Sequence, residues 1–143
     1  MGIGLMMELK EKPLNIVLYV DFFITFVFGV VSWLFPYSTY GTIVSLTETG
    51  TPLTVSAFSS LSLFYIFIGI ACFIAAKTPN PQKYWFALLM LLRHGWIGII
   101  GVSNAHQDWI IGNPWHDVVV HSVFVFAYIS VITWSNKFKG NSL

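Results

Sequence analysis

The sequence predicts an all-α integral membrane protein: a four-transmembrane-helix antiparallel bundle with both termini cytoplasmic. Three observations carry this reading. Of 143 residues, 56% are hydrophobic and only 9% charged, whereas soluble domains carry about 25% charged residues. Four apolar stretches, near residues 14–35, 53–76, 84–104 and 115–134, approach the roughly 20 residues that a helix needs to cross a hydrocarbon core of about 30 Å. The lysines fall only where a four-pass chain has one and the same side of the membrane. Nothing between the stretches is large enough to fold separately, so residues 1–143 read as a single membrane domain.

The first stretch is preceded by Lys10 and Lys12 and closes at Pro36, with Tyr37-Ser38-Thr39 reading as a loop. No small-residue cleavage site follows it, so it is expected to stay as an anchor. The second stretch follows the polar segment Thr47-Glu48-Thr49-Gly50-Thr51-Pro52, a connecting loop or partner contact, and ends at Lys77. Thr78-Pro79-Asn80-Pro81 separates it from the third stretch, which Lys83 flanks, and Gly112-Asn113-Pro114 separates the third from the fourth. Lys137 and Lys139 follow the fourth stretch, while the two remaining loops hold no Lys or Arg. By the excess of positive charge on cytoplasmic flanks, both termini lie on the cytoplasmic side, in a cell or an organelle membrane. Trp33, Trp85, Trp109, Trp115 and Trp134 stand near the proposed span ends, where amphipathic rings settle.

Charge inside lipid is costly and marks packing or function. Asp21 lies about 10 Å and Arg93 about 14 Å from the cytoplasmic side by helix rise, so the two are expected to face each other as an intramembrane ion pair. Asp21, Thr25, Gly29 and Ser32 form one polar or small stripe, which would leave Phe22, Phe23, Phe26 and Val30 toward lipid. His94, Gly98, Gly101 and Ala105 form a second stripe beside Arg93. Such stripes are read either as helix-packing seams or as the setting of a proton path or ligand contact. His94, at the centre, is the residue for the second role.

The histidines gather toward the side without lysines, with Asp108 and Asp117 among them. Asp117 and His121 are four apart and share a helix face, and His106 and His116 stand near the same mouth. His106, His116, Asp117 and His121 are therefore a candidate set for copper, zinc or iron, set against interfacial and helix-capping roles for the same residues. His94 and His121 differ in depth by roughly 5–8 Å on helix rise, which speaks against haem held between them.

Several classes are excluded. A net charge of +1 without a basic patch gives nucleic acid no footing. A single cysteine, Cys72, forms no disulfide framework. Gly95, Gly98 and Gly101 follow no strand and are no phosphate loop, and Ser59, Ser60 and Ser62 lack a nucleophile elbow. The leading expectation is a small integral-membrane accessory or assembly subunit, not an enzyme on its own. It would sit in the lipid bilayer beside other membrane protein subunits or as a homo-oligomer. The alternatives are a metal-dependent or redox membrane protein using the outer His/Asp cluster, and a binder or carrier of a lipophile such as a quinone, sterol or carotenoid. An aromatic content of 17% would line such a cleft as readily as it would anchor a lipid-facing or partner-facing surface.

Overall fold

The computed structural model describes residues 3–41, 52–79, 81–104, 106 and 115–140. The described residues are all helical apart from short connections. They form α1 (Ile3–Leu34), α2 (Pro36–Gly41), α3 (Pro52–Lys77), α4 (Gln82–Asn104) and α5 (Trp115–Gly140). Four segments are long and apolar enough to cross a membrane: Glu11–Leu34, Ser56–Lys77, Gln82–Asn104 and Trp115–Trp134. Their bounds lie within three residues of the sequence expectation. The exposed surface is correspondingly apolar, with Phe64, Phe67, Trp85, Leu92, Trp96 and Phe126 all outward.

Two connections differ from expectation. α1 continues on the N-terminal side of Pro13 as far as Ile3: proline removes one i to i−4 bond without ending the helix. The Pro36 segment, read as a loop, is the short helix α2. Pro36 tolerates the first helical position because its missing N–H would have had no partner there. Phe35 and Thr39 carry the chain across the break: Phe35 N–H donates to the Val31 carbonyl at 2.9 Å, and Thr39 N–H and Oγ1 both donate to the Phe35 carbonyl at 3.0 Å. Thr78 and Pro79 do form a connection, between α3 and α4. Glu48, Ala105, Asp108, Trp109 and Gly112-Asn113-Pro114 lie outside the described residues.

α1 packs most extensively on α3, and α4 on α5; α1 also touches α5, while α3 and α4 meet thinly. The α1–α3 contact is close enough that side chains are missing where the backbones meet. A Cβ added at Gly29 would stand 2.8 Å from the Ile66 backbone nitrogen, and one at Gly69 would stand 3.0 Å from the Phe26 backbone nitrogen. This is the small-residue approach that membrane helices use, since packing and not water expulsion holds them together. On either side of these glycines Phe22 and Tyr19 meet the Phe73 ring, and Phe28 meets Tyr65 edge to face. Phe22 and Phe26 are thus half-buried against α3, and Val30 is half-buried, not lipid-facing as the stripe implied. Of that group Phe23 alone is fully outward.

At one end of the molecule Lys83 Nζ, itself buried, donates to Glu11 Oε2 at 2.8 Å and ties the start of α4 to α1. At the other, Gly101 lets the end of α4 approach Val118 and Asp117 at the start of α5. The polar stripe of α1 faces inward along its length: Asp21, Thr25, Gly29 and Ser32 are all buried. Facing it, His94 and Gly101 of α4 are buried and Gly98 half-buried.

Candidate functional site

Four helices converge on one carboxylate. Asp21 of α1 has no exposed surface, and each of its oxygens is used twice. Oδ1 accepts the Thr25 hydroxyl, one turn along α1, at 2.9 Å, and faces the Arg93 Nη1 of α4 at 3.5 Å. Oδ2 accepts the Tyr128 hydroxyl of α5 at 2.8 Å and the His94 Nε2 of α4 at 2.9 Å. From α3 the buried thiol of Cys72 faces the same carboxylate. Two carboxylate oxygens offer about four acceptor positions; three accept hydrogen bonds and the remaining side faces the Arg93 charge. That saturation lets a charged group persist in the middle of an apolar bundle, where an unpaired one would be expelled or neutralised.

Arg93 is held less completely. At 3.5 Å its contact with Asp21 is coulombic, and the Nη1 atom makes no hydrogen bond although it is buried. The guanidinium lies 5.6 Å from the centre of the Tyr65 ring of α3, within the range of a cation–π contact. The ion pair therefore joins α1, α4 and α3, with the carboxylate accepting three hydrogen bonds and the cation held by charge to Asp21 and by the Tyr65 ring.

His94 is the junction. Its ring is stacked on Phe124 at 4.4 Å between centroids with an 11° interplanar angle, and also lies against the Tyr128 ring. The stacking fixes the imidazole plane. In that plane Nε2 points to Asp21, and Nδ1 meets the Nδ1 of His121 at 2.7 Å. A carboxylate accepts only, so His94 Nε2 carries a proton and donates it. With His94 neutral, its Nδ1 is an acceptor and the proton between the rings belongs to His121, leaving His121 Nε2 as a free acceptor. With one more proton on the pair, His94 becomes the imidazolium, donating to Asp21 and to His121 alike. Adding a proton at His121 Nε2 and passing the Nδ1 proton across 2.7 Å converts the first state into the second. The order Tyr128, Asp21, His94, His121 is thus a continuous hydrogen-bonded chain able to take up one proton.

Helix spacing explains why these side chains meet. His121, Phe124 and Tyr128 recur at three and four along α5 and share one face. Gly98 of α4 stands beside the His121 Cβ, 3.8 Å from where its own Cβ would be, so the space between the His121 and His94 backbones is left to the two rings. Tyr128, Phe124 and Tyr65 were not singled out from the sequence, and Cys72 was read only as excluding a disulfide framework. The first two were detectable as the continuation of the Asp117/His121 face of α5, but one aromatic among many on an apolar helix gives no chemical signal of its own.

The residues read as a metal set have these positions. His106 lies in a turn after α4 and is exposed, and His116 and Asp117 are exposed at the start of α5. His121 is bonded to His94. Among the described residues no three His, Cys, Asp or Glu side chains group as a metal site. Asp21 holds His94, and His94 in turn holds His121 by its second ring nitrogen. Comparison with protein-family models, curated proteins and solved structures gives no match, so function is argued from these residues themselves.

Proposed function

We propose that this chain is a small integral-membrane accessory subunit whose buried Asp21–His94–His121 chain binds a proton within the bilayer. The observation that carries the proposal is the double engagement of His94, with Nε2 on Asp21 at 2.9 Å and Nδ1 on His121 at 2.7 Å. Helix packing alone needs one bond to the carboxylate. A second ring in line, half-buried toward the α4–α5 end, adds a way for the proton to come and go. Asp117, exposed one turn before His121 on the same helix face, sits where a proton would be collected. The proposal places the spans antiparallel and the lysine-bearing ends on the cytoplasmic side. Its support is the reversed order of the α1–α3 pairs, Phe22 with Phe73 and Gly29 with Ile66, together with the lysine distribution.

Nitrogen NMR of histidine-labelled protein in lipid nanodiscs tests the site directly. One exchangeable proton shared between His94 Nδ1 and His121 Nδ1, seen as a nitrogen–nitrogen coupling across that hydrogen bond, is expected. Absence of the shared proton overturns the reading. Orientation is tested with an impermeant maleimide on intact cells: His106→Cys is labelled and Gln82→Cys is not, and the reverse pattern overturns the topology. Native mass spectrometry of the gently extracted protein tests the subunit assignment. Larger partner subunits are expected, and a stable isolated monomer overturns that assignment alone.

A further inference from the structure

α1 ends at Leu34 and α2 starts at Pro36, and beside this break a cavity of about 340 Å³ lies against the opening turns of α3. Its volume falls near the lower end of ligand pockets, which run from about 300 to 1,000 Å³. Small side chains leave the room. On α3, Ser56, Ser59, Ser60 and Leu63 recur at steps of three and four and share one face, and Leu63 is the one large residue among them. The facing wall is Trp33 of α1 with Pro36 and Tyr37 of α2. Ser56 opens one span and Leu34 closes another, so the cavity stands at the membrane surface on the side without lysines. Leu63 lies about 10 Å deeper than Ser56 at 1.5 Å per residue, and the α3 wall therefore passes from polar at the surface to apolar below. The Ser60 hydroxyl donates to the Ser56 carbonyl at 3.0 Å. The Ser59 and Tyr37 hydroxyls and the Trp33 indole N–H bring further hydrogen-bonding groups to the same wall. Among the described residues that wall holds no Asp, Glu, Lys or Arg.

We propose that this cavity binds the uncharged head of a glycerolipid, with its hydroxyl and ester oxygens among Ser59, Ser60 and Tyr37 and its acyl chains running past Leu63 into the bilayer. Three features select this class. A wall without Lys or Arg offers no counter-charge to a phosphate, the group by which anionic lipids are recognised. Several hydroxyls at one level match a head with several oxygens, where a sterol presents a single hydroxyl. The passage from polar to apolar with depth matches an amphiphile held at the interface, the level that Trp and Tyr rings themselves favour. Trp33 is twelve residues beyond Asp21 along α1, about 18 Å by helix rise, so the site is separate from the proton chain.

A photoactivatable diacylglycerol, presented to the full-length protein in phosphatidylcholine nanodiscs, tests the proposal. Label is expected to concentrate in residues 33–37 and 56–63. Unlabelled diacylglycerol is expected to displace it, and the same amount of phosphatidylserine or cholesterol is not. Ser59→Leu removes a hydroxyl and fills space at the wall, and is expected to weaken labelling by about tenfold, the scale of one hydrogen bond. Ser59→Thr keeps the hydroxyl and is expected to weaken it less. Displacement on the unaltered protein is a separate criterion, which no folding defect of a variant can mimic. Equal displacement by phosphatidylserine overturns the selection against charge, and displacement by cholesterol alone overturns the glycerolipid assignment. Label spread evenly over the outward faces, undisplaced and unchanged in Ser59→Leu, overturns the site itself. The histidine NMR of the preceding section reads a bond elsewhere in the bundle, so either proposal can fail while the other stands.

Discussion

The Nδ1 atoms of His94 and His121 stand 2.7 Å apart, so the two rings share a proton and cannot both be donors or both acceptors along that line. The two nitrogens of His94 therefore have separable roles, and substitution can address each. Glutamine extends a polar atom to about the position of Nε2, asparagine to about that of Nδ1. His94→Gln is expected to keep a donor on Asp21 and fold close to normally, while His121 Nδ1 loses its partner. His94→Asn is expected to keep contact with His121 but remove a donor from the buried carboxylate, costing about 1–3 kcal/mol. Reversible unfolding in bicelles, read alongside histidine NMR, separates the two; equal losses from both would mean that Nε2 and Nδ1 are not distinct in function.

Tyr128 gives Asp21 a hydroxyl at 2.8 Å from the helix most distant in sequence. Tyr128→Phe removes that donor and keeps the ring that flanks His94. A hydrogen bond to a charged group is worth about 1.5–3 kcal/mol, and the same loss of stability is expected here without loss of fold, because Oδ2 retains His94. Tyr128→Leu also loses the ring contact and should cost more. If Phe and Leu prove equivalent to wild type in thermal unfolding, the hydroxyl is not part of the carboxylate's support.

How much of this was legible follows from which physical signal each feature leaves in sequence. The spans were readable because an apolar run of bilayer length has few competing explanations, and the inward stripe of α1 because Asp21, Thr25, Gly29 and Ser32 keep helical period. The meeting of His94 with His121 was not. Their depths, taken from helix rise along the backbone, differ by several ångströms, but an imidazole reaches along the helix and Gly98 leaves the lane open between them. Grouping the histidines by loop proximity put His121 with His106 and His116 and missed its bond to His94. The orientation of Phe22 and Phe26 was misjudged for a related reason. A polar stripe tells which face is buried in one contact, and α1 has two neighbours, α3 and α5.

Gly29 and Gly95 make a matched pair for the packing. A Cβ at Gly29 would come within 2.9 Å of the Ile66 backbone nitrogen and the Ser62 carbonyl oxygen, while one at Gly95 would meet nothing within 4 Å. Gly29→Ala must therefore push α1 and α3 apart, with an expected cost of about 1–3 kcal/mol. Gly95→Ala gains helix propensity and is expected to be neutral or to stabilise by up to about 1 kcal/mol. Thermal unfolding in the same bicelles checks both, and a harmless Gly29→Ala would mean that the two backbones do not approach this closely.

Asp21 and Arg93 are partners of unequal dependence, which a double-mutant cycle can expose. Removing the carboxylate's charge in Asp21→Asn strips Arg93 of its counter-charge and weakens three further bonds, so a loss of about 3–5 kcal/mol is expected, as for a broken buried pair. Arg93→Gln leaves Asp21 with Thr25, His94 and Tyr128 still donating, so the loss should be clearly smaller. With only a 3.5 Å contact between them, the coupling energy is expected within the 0.5–3 kcal/mol range of contacting residues, about its lower half. The double variant should be close to Asp21→Asn alone, because the arginine's main anchor is already gone there. A larger penalty for Arg93→Gln than for Asp21→Asn would reverse the assignment, making the guanidinium and not the carboxylate the group on which the four helices converge.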